Sequence, residues 1–196
     1  MRTLIYDISN IIFRNVSAQK ASLKKSAFSS TLTQEDFVGL CLHSAMQSVR
    51  KWYKKYFPKD NTPYRLVFAF EGDSKIKKNW RKTYTEEHRT GQLPHQYKAN
   101  RVVDPEMEVI FTVLNAFREI TTLHTSIITL SVPGAEADDV IGIFCQEHAN
   151  ENDEIFIVSG DKDFTQLLNL PNVYLVNPDD GKLRNQPGDK IYYDDI

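Results

Sequence analysis

The stretch IVSGDKDFTQLL, residues 157–168, decides how the rest of the chain is read. An apolar, β-branched run ends at Gly160, and two aspartates, Asp161 and Asp163, follow at once. A buried strand that delivers two negative charges to its own exit needs partners for them. Upstream of it, residues 155–158 (IFIV) read as that strand, and Phe164–Leu168 as the start of a helix.

The same grammar recurs along the chain. Residues 2–6 (RTLIY) read as a strand ending at Asp7, and residues 65–70 (RLVFAF) as a strand followed by Glu71 and Asp73. Residues 126–132 (SIITLSV) read as a strand, and Gly134 then leads into a helix of about 136–149 that opens with Glu136, Asp138 and Asp139. A short strand over 172–176 and turn chemistry at 177–182 (NPDDGK) follow. Between the strands, residues 35–57 carry apolar side chains at three- and four-residue spacing, with Thr33 as N-cap and Asp36 as its capping-box partner. Pro105 opens a further helix, roughly 105–120. Strands alternating with helices predict an α/β fold, a three-layer α/β/α sandwich around a mostly parallel sheet. In such sheets the working groups gather at the carboxyl ends of the strands. Four successive strand exits here are acidic.

Composition narrows the classes. With 41% hydrophobic residues and a net charge of -2, 196 residues suffice for one sizeable domain rather than a disordered chain. The two cysteines, Cys41 and Cys145, form no C-x-x-C pair, which argues against a disulfide framework or thiolate zinc site. The five histidines show no ligand spacing. Polar residues break the N-terminal apolar run too early for a signal peptide, and no apolar stretch approaches membrane-spanning length, so a cytoplasmic protein with no membrane partner is expected.

The small net charge hides an asymmetry. Residues 1–101 hold 19 of the 24 Lys and Arg but only 8 of the 26 Asp and Glu. Residues 75–101 hold eight basic side chains, Lys75, Lys77, Lys78, Arg81, Lys82, Arg89, Lys98 and Arg101, against two acids, and little apolar periodicity. They read as a mobile, partly helical segment outside the core. With Trp80, Tyr84 and Tyr97 interleaved, the segment suits a polyanion whose bases stack on aromatic faces; a solvated helical surface is the plainer alternative.

Clustered carboxylates repel one another and raise each other's pKa unless a cation relieves them. Oxygen-only donors suit Mg²⁺, with Mn²⁺ able to substitute, and two such ions stabilise an in-line phosphoryl displacement. In a regular helix Glu136 pairs with Asp139, while Asp138 points about 100° away unless the first turn is frayed. Each acid also has a plainer reading. Asp7, Asp161 and Asp163 suit helix N-caps or turns, the acids at 136–139 suit a helix dipole, and EGDSK suits an ordinary turn.

The assembled pieces resemble the 5′-nuclease (flap endonuclease) family with its PIN-like catalytic fold, nearest the T-even phage RNase H type. YDISNIIFRN, with Asp7, Asn10, Phe13 and Arg14, resembles its opening motif. VFAFEGDSK resembles the second, with Glu71 where the family has Asp and an extra acid at Asp73. WRK and YKANR resemble a basic arch over 75–101, and GAEADDVIG and SGDKDFTQLL the last two motifs. The resemblance implies a tighter ion held by Asp7, Glu136, Asp161 and one of Asp138 and Asp139, with help from Glu71 or Asp73, and a second ion served by Asp163. It implies Arg81 and Lys98 at the scissile phosphate and Arg101 as a secondary contact; Arg14, Lys75, Lys77, Lys78 and Lys82 complete the cationic surface for nucleic acid.

The implied activity is a 5′-3′ exonuclease or flap endonuclease acting on DNA or RNA–DNA hybrids with a free 5′ end, in replication and repair. For a phage-encoded chain the compartment is the host cytoplasm. A single-stranded-DNA-binding protein, or a separate C-terminal DNA-binding chain, is the implied partner, because residues 1–196 read as the N-terminal catalytic domain without the family's helix–three-turn–helix region. Two rivals are a non-catalytic nucleic-acid-binding module and a phosphatase of the haloacid-dehalogenase class. The latter puts Asp-x-Asp on its first strand, where this chain has a lone Asp7.

Overall fold

Three apolar residues of the first strand alternate between two cores. In β1 (Arg2–Asp7), Leu4 and Tyr6 face one side of the sheet and Ile5 the other, as the two-residue period of a strand requires. β2 (Tyr64–Ala69) and β4 (Glu154–Val158) divide in the same way, with Phe68, Phe156 and Val158 on the first side and Val67, Ala69, Ile155 and Ile157 on the second. These runs are apolar on both faces because both faces are covered. The computed structural model describes residues 1–25, 32–57, 62–73, 77, 79–81, 83, 106–179 and 181–184.

The first face is covered by α1 (Ile8–Lys24), α2 (Gln34–Tyr56) and α3 (Glu106–His124). The second is covered by α4 (Ala137–His148) and a 3₁₀ helix (Lys162–Asn169). The six-stranded sheet runs β3-β2-β1-β4-β5-β6, with β3 (Ile128–Leu130) parallel to β2, β5 (Val173–Val176) parallel to β4, and β6 (Leu183–Arg184) antiparallel to β5. The mostly parallel α/β architecture expected from the alternating elements is the one observed. After β1 the chain builds outward through β2 and β3, then returns across β1 to lay down β4 and β5. The order therefore reverses between β1 and β4, and the crevice past their carboxyl ends is where α/β sheets place their ligands.

Several elements differ from expectation for identifiable reasons. Helix α1 was not anticipated, although Ile8, Ile11, Ile12 and Val16 form its buried stripe. The segment after Asp161 is 3₁₀ rather than α-helical: Asp161 caps it, and Phe164, Leu167 and Leu168 recur near the three-residue period while burying against α4 and β5. The strand expected over 126–132 shrinks to three residues at a sheet edge. The Thr33 capping box forms as expected, with the Asp36 N–H donating to Thr33 Oγ1 at 3.1 Å and the Thr33 N–H to Asp36 Oδ2 at 3.1 Å. Among the described residues no helix is long and apolar enough to cross a membrane.

Candidate functional site

Asp7 ends β1, the central strand, and is only 7% exposed. It does two local jobs. Its Oδ1 accepts from the Asn10 N–H at 3.0 Å and so caps α1, and its Oδ2 accepts from the Ser159 hydroxyl at 3.0 Å. Ser159, 1% exposed at the end of β4, also accepts from the Asp161 N–H at 3.1 Å. A single hydroxyl thus ties the two strand-end aspartates together. Asn10 adds a second tie, its Oδ1 accepting from the Gly160 N–H at 3.1 Å. Asp161 in turn caps the 3₁₀ helix by accepting from the Asp163 N–H at 2.9 Å. The N-cap readings of Asp7 and Asp161 are realised, and in the same geometry both sit at the crevice.

Burial pushes the Asp7 carboxyl up to about 6; hydrogen bonds from Asn10 and Ser159 oppose the shift, and the charges of Asp161 and Asp138 add to it. Asp138 is also raised, by burial first, with Arg81 pulling against it and Asp139 and Glu136 pushing with it. Asp7 therefore feels the charges of both Asp161 and Asp138 across the crevice.

Glu136 and Asp139 pair as expected, through a capping box at the start of α4. Glu136 is the N-cap of α4, with extended backbone at φ -88 and ψ 164, so the 100° helical step begins only at Ala137. Asp139 Oδ2 accepts from the Glu136 N–H at 2.9 Å and from Trp80 Nε1 at 2.9 Å. All three acids converge on Arg81, whose guanidinium lies 2.9 Å from Glu136, 3.3 Å from Asp138 and 2.7 Å from Asp139.

Glu71 and Asp73 are separated by their surroundings. Glu71 is half-buried, and its Oε2 accepts from the Ala137 N–H, at the start of α4, at 3.3 Å. Asp73 is exposed. The turn between them is held from outside: Arg118 of α3 donates to the Glu71 carbonyl at 2.5 Å, and the Gly72 N–H to the Ala135 carbonyl at 2.9 Å. Asp163 lines a cleft of about 360 Å³ together with Arg81, Asp138 and Asp139.

The basic segment is described in part. Asn79 Nδ2 donates to Glu136 Oε1 at 3.0 Å and the Trp80 N–H to the Gly134 carbonyl at 2.9 Å. Residues 79–81 are thus docked on the start of α4, and none of them enters either core cluster. Lys77 is exposed. Lys75, Lys78, Lys82, Lys98 and Arg101 lie outside the described residues. Arg14 is half-buried beside Gly160 and pairs with Asp179.

Ser159, Asn79 and Arg118 were not singled out from sequence as site residues. Ser159 stood inside the SGDKD motif and could have been found by asking what holds two strand-end acids together. Arg118 gave no local signal, being 47 residues from the carbonyl it binds.

Among the described residues no three acidic, histidine or cysteine side chains are arranged to hold a metal ion as they stand. The donor chemistry nevertheless fits one. The acidic side chains there offer oxygen donors only, the Asp7 carboxyl is buried and raised, and a guanidinium already serves as the cation for three of the acids.

Comparison with known proteins agrees with this architecture. The family model described as "5′-3′ exonuclease, N-terminal resolvase-like domain" matches residues 2–192. The 5′-3′ exonuclease of Buchnera aphidicola subsp. Schizaphis graminum is 28% identical over 138 residues, 68% of this chain and 41% of that protein. The 5′-3′ exonuclease of Aquifex aeolicus is 32% identical over 121 residues, 61% of this chain and 36% of that protein. The thermostable DNA polymerase I of Thermus filiformis is 37% identical over 90 residues, 43% of this chain and 10% of that protein. Among solved structures, the T5 D15 protein co-crystallised with metal ions superposes with a TM-score of 0.57 at 17% identity, over 93% of this chain and 57% of that one. At that identity the likeness is one of fold. The chain spans less than half the length of these curated relatives.

Proposed function

This chain belongs to the family of 5′-3′ exonuclease N-terminal, resolvase-like domains, and we propose that it hydrolyses phosphodiester bonds near the 5′ ends of DNA or RNA–DNA hybrids with the help of two divalent ions. The observation that carries the proposal is that Ser159 links Asp7 to the backbone of Asp161 while Arg81 pairs with Glu136, Asp138 and Asp139 at the start of α4, with Asp138 close enough to raise Asp7.

Asp7, Asp161, Glu136 and Asp138 would hold the tighter ion, with Glu71 in reserve at the start of α4. Glu71 is preferred to the exposed Asp73, and Asp138 to Asp139, whose carboxylate is engaged with the Glu136 N–H and the Trp80 indole. Asp163, at the cleft rim, would serve the second ion. Mg²⁺, or Mn²⁺ in its place, would supply an activated water and stabilise the attacking and leaving oxygens of the displacement. The protein's own part is positional. Ser159 and Asn10 fix the spacing of Asp7 and the SGD loop. With metal charge in its place on the carboxylates, Arg81 would be free to face a phosphate over the crevice and would stabilise the charge that builds there. By the family resemblance Lys98 would act on the same phosphate, with Arg101 as a secondary contact. Arg14 and the lysines at 75, 77, 78 and 82 are assigned to the backbone of the nucleic acid.

Primer removal during replication and cleavage of the RNA strand of a hybrid are uses that this chemistry supports. The experiment is a 5′-labelled flap oligonucleotide and a matched RNA–DNA hybrid, incubated with Mg²⁺ and then with EDTA. Mg²⁺-dependent release of short 5′ products is expected, and Asp161→Asn should abolish it while the melting temperature barely moves. Unchanged turnover in Asp161→Asn would remove the reading. A second reading, a module that holds nucleic acid without cutting it, is favoured by the triple pairing of Arg81, which leaves the acids satisfied without metal. It predicts oligonucleotide binding that is indifferent to EDTA, with no products at any Mg²⁺ concentration.

A further inference from the structure

The opposite end of the sheet carries a second concavity, of about 800 Å³, within the usual size range of ligand and peptide-anchor sites. It lies at the amino ends of β1, β2 and β3, so along β1 it is roughly 17 Å from Asp7 at about 3.3 Å per residue. Its floor is apolar: Met46 and Val49 from α2, Leu66 from β2 and Ile127 just before β3. Its rim is cationic and hydroxylic, with Arg50, Arg65, Tyr64 and Ser126.

The charges on this rim are unevenly matched. Arg50 is exposed, and neither arginine forms an ion pair among the described residues. The nearby acid, Asp153, feels Arg65 but is bonded to the Met1 ammonium. Tyr64 accepts from the Tyr53 hydroxyl at 2.9 Å and keeps its own proton to donate. An occupant with an apolar side chain for the floor and carboxylates for the rim satisfies all of these groups. Nucleic acid fits less well. Its backbone needs a continuous cationic track, and the face of Tyr64 is already packed against Phe57, with ring centroids 4.6 Å apart at 33°.

We propose that this concavity docks a peptide segment of a partner protein in which acidic residues flank a bulky apolar side chain. The apolar side chain fills the Met46–Leu66 floor while carboxylates reach Arg50, Arg65 and the Tyr64 hydroxyl. Because the site lies at the far end of the strands, docking leaves the carboxylate crevice open. The proposal is independent of whether the chain cuts nucleic acid.

The test is selection of a random 12-residue display library on the full chain, counter-selected against Arg50→Glu/Arg65→Glu. An enriched peptide is then synthesised with a fluorescein label and titrated by anisotropy. The expected result is enrichment of sequences with Asp or Glu on both sides of Phe, Trp or Leu, binding that weakens roughly 10-fold or more in the double variant, and a further loss at high salt. Arg50→Glu alone, at an exposed position without an ion pair, guards against misfolding of the double variant and should retain the loss in part. Enrichment without acidic residues, or equal affinity for wild type and both variants, overturns the proposal. So does a labelled oligo-dT whose binding falls in these variants while the library yields nothing.

Discussion

Asp7 carries two loads that pull its protonation in opposite directions. As an N-cap and hydrogen-bond acceptor it is better ionised, yet burial and the nearby charges of Asp161 and Asp138 favour the neutral acid and raise it to about 6. With the ordinary value at 3.8, the native metal-free protein binds more protons than the unfolded chain between these two values. Stability of the EDTA-treated protein should therefore fall as pH rises through about 4 to 6 and then level off. Asp7→Asn removes the charge but keeps a carbonyl to accept from Asn10. In EDTA it should be more stable than wild type above pH 6, by an amount on the order of 2–3 kcal/mol, and equal to it below about pH 4. Denaturant titrations at several pH values would measure this, and a difference independent of pH would exclude a raised Asp7. Ser159 gives a complementary case. Ser159→Ala strips the hydroxyl shared by Asp7 and the Asp161 N–H, both in a poorly solvated corner. A loss of about 1–3 kcal/mol is expected, with metal affinity down roughly 10- to 100-fold by calorimetry.

At the scale of elements, two glycines separate backbone fit from side-chain placement. A Cβ on Gly72 would lie 1.9 Å from the Val132 carbonyl oxygen, so the EGD turn and the VPGA turn approach as only glycine permits. Gly72→Ala should destabilise by about 3 kcal/mol or more, seen as a lowered midpoint in urea. A Cβ on Gly160 would instead meet the Arg14 guanidinium, 2.5 Å away, which can swing aside. Gly160→Ala should shift the midpoint by less than about 1 kcal/mol while slowing cleavage, because Arg14 and Asn10 are displaced from the SGD loop. These close approaches explain why parts of the fold could be read in advance and parts could not. Strands with apolar side chains on both faces, and the Thr33–Asp36 box, are local patterns and were legible. Helix α1 was equally local, but Asn10, Phe13 and Arg14 read as a motif and hid the buried stripe of Ile8, Ile11, Ile12 and Val16. The Glu136–Asp139 pair was legible from its three-residue spacing, whereas the convergence of Asp138 on the same Arg81 depends on a contact 57 residues away in sequence. The Arg118 contact to the Glu71 carbonyl depends on a packing of α3 against β2 that no local pattern encodes.

Across the whole molecule, the proposed ion site would draw on positions 7, 71, 136–139 and 161, so a cation bound there would fasten β1, β2, α4 and β4 together. Arg81 does part of that fastening, with three carboxylates within 3.3 Å. An entering divalent ion must compete with this tethered guanidinium. Arg81→Ala should therefore have opposite effects with and without metal. In EDTA the acids lose their internal cation and the melting temperature should drop. Mg²⁺ binding should tighten, since nothing need be displaced. For a protein of this size, Mg²⁺ at 100 times its dissociation constant adds about 2.7 kcal/mol, a rise of about 5–10 °C. In the variant that rise should begin at lower Mg²⁺ than in wild type. Trp80, 48% exposed and bonded through its indole N–H to Asp139, gives an independent signal, because displacement of Arg81 disturbs its surroundings. Its fluorescence should change with Mg²⁺ in wild type and change less in Arg81→Ala. If Arg81→Ala bound Mg²⁺ more weakly than wild type, the guanidinium would be a support for the metal site and not its competitor.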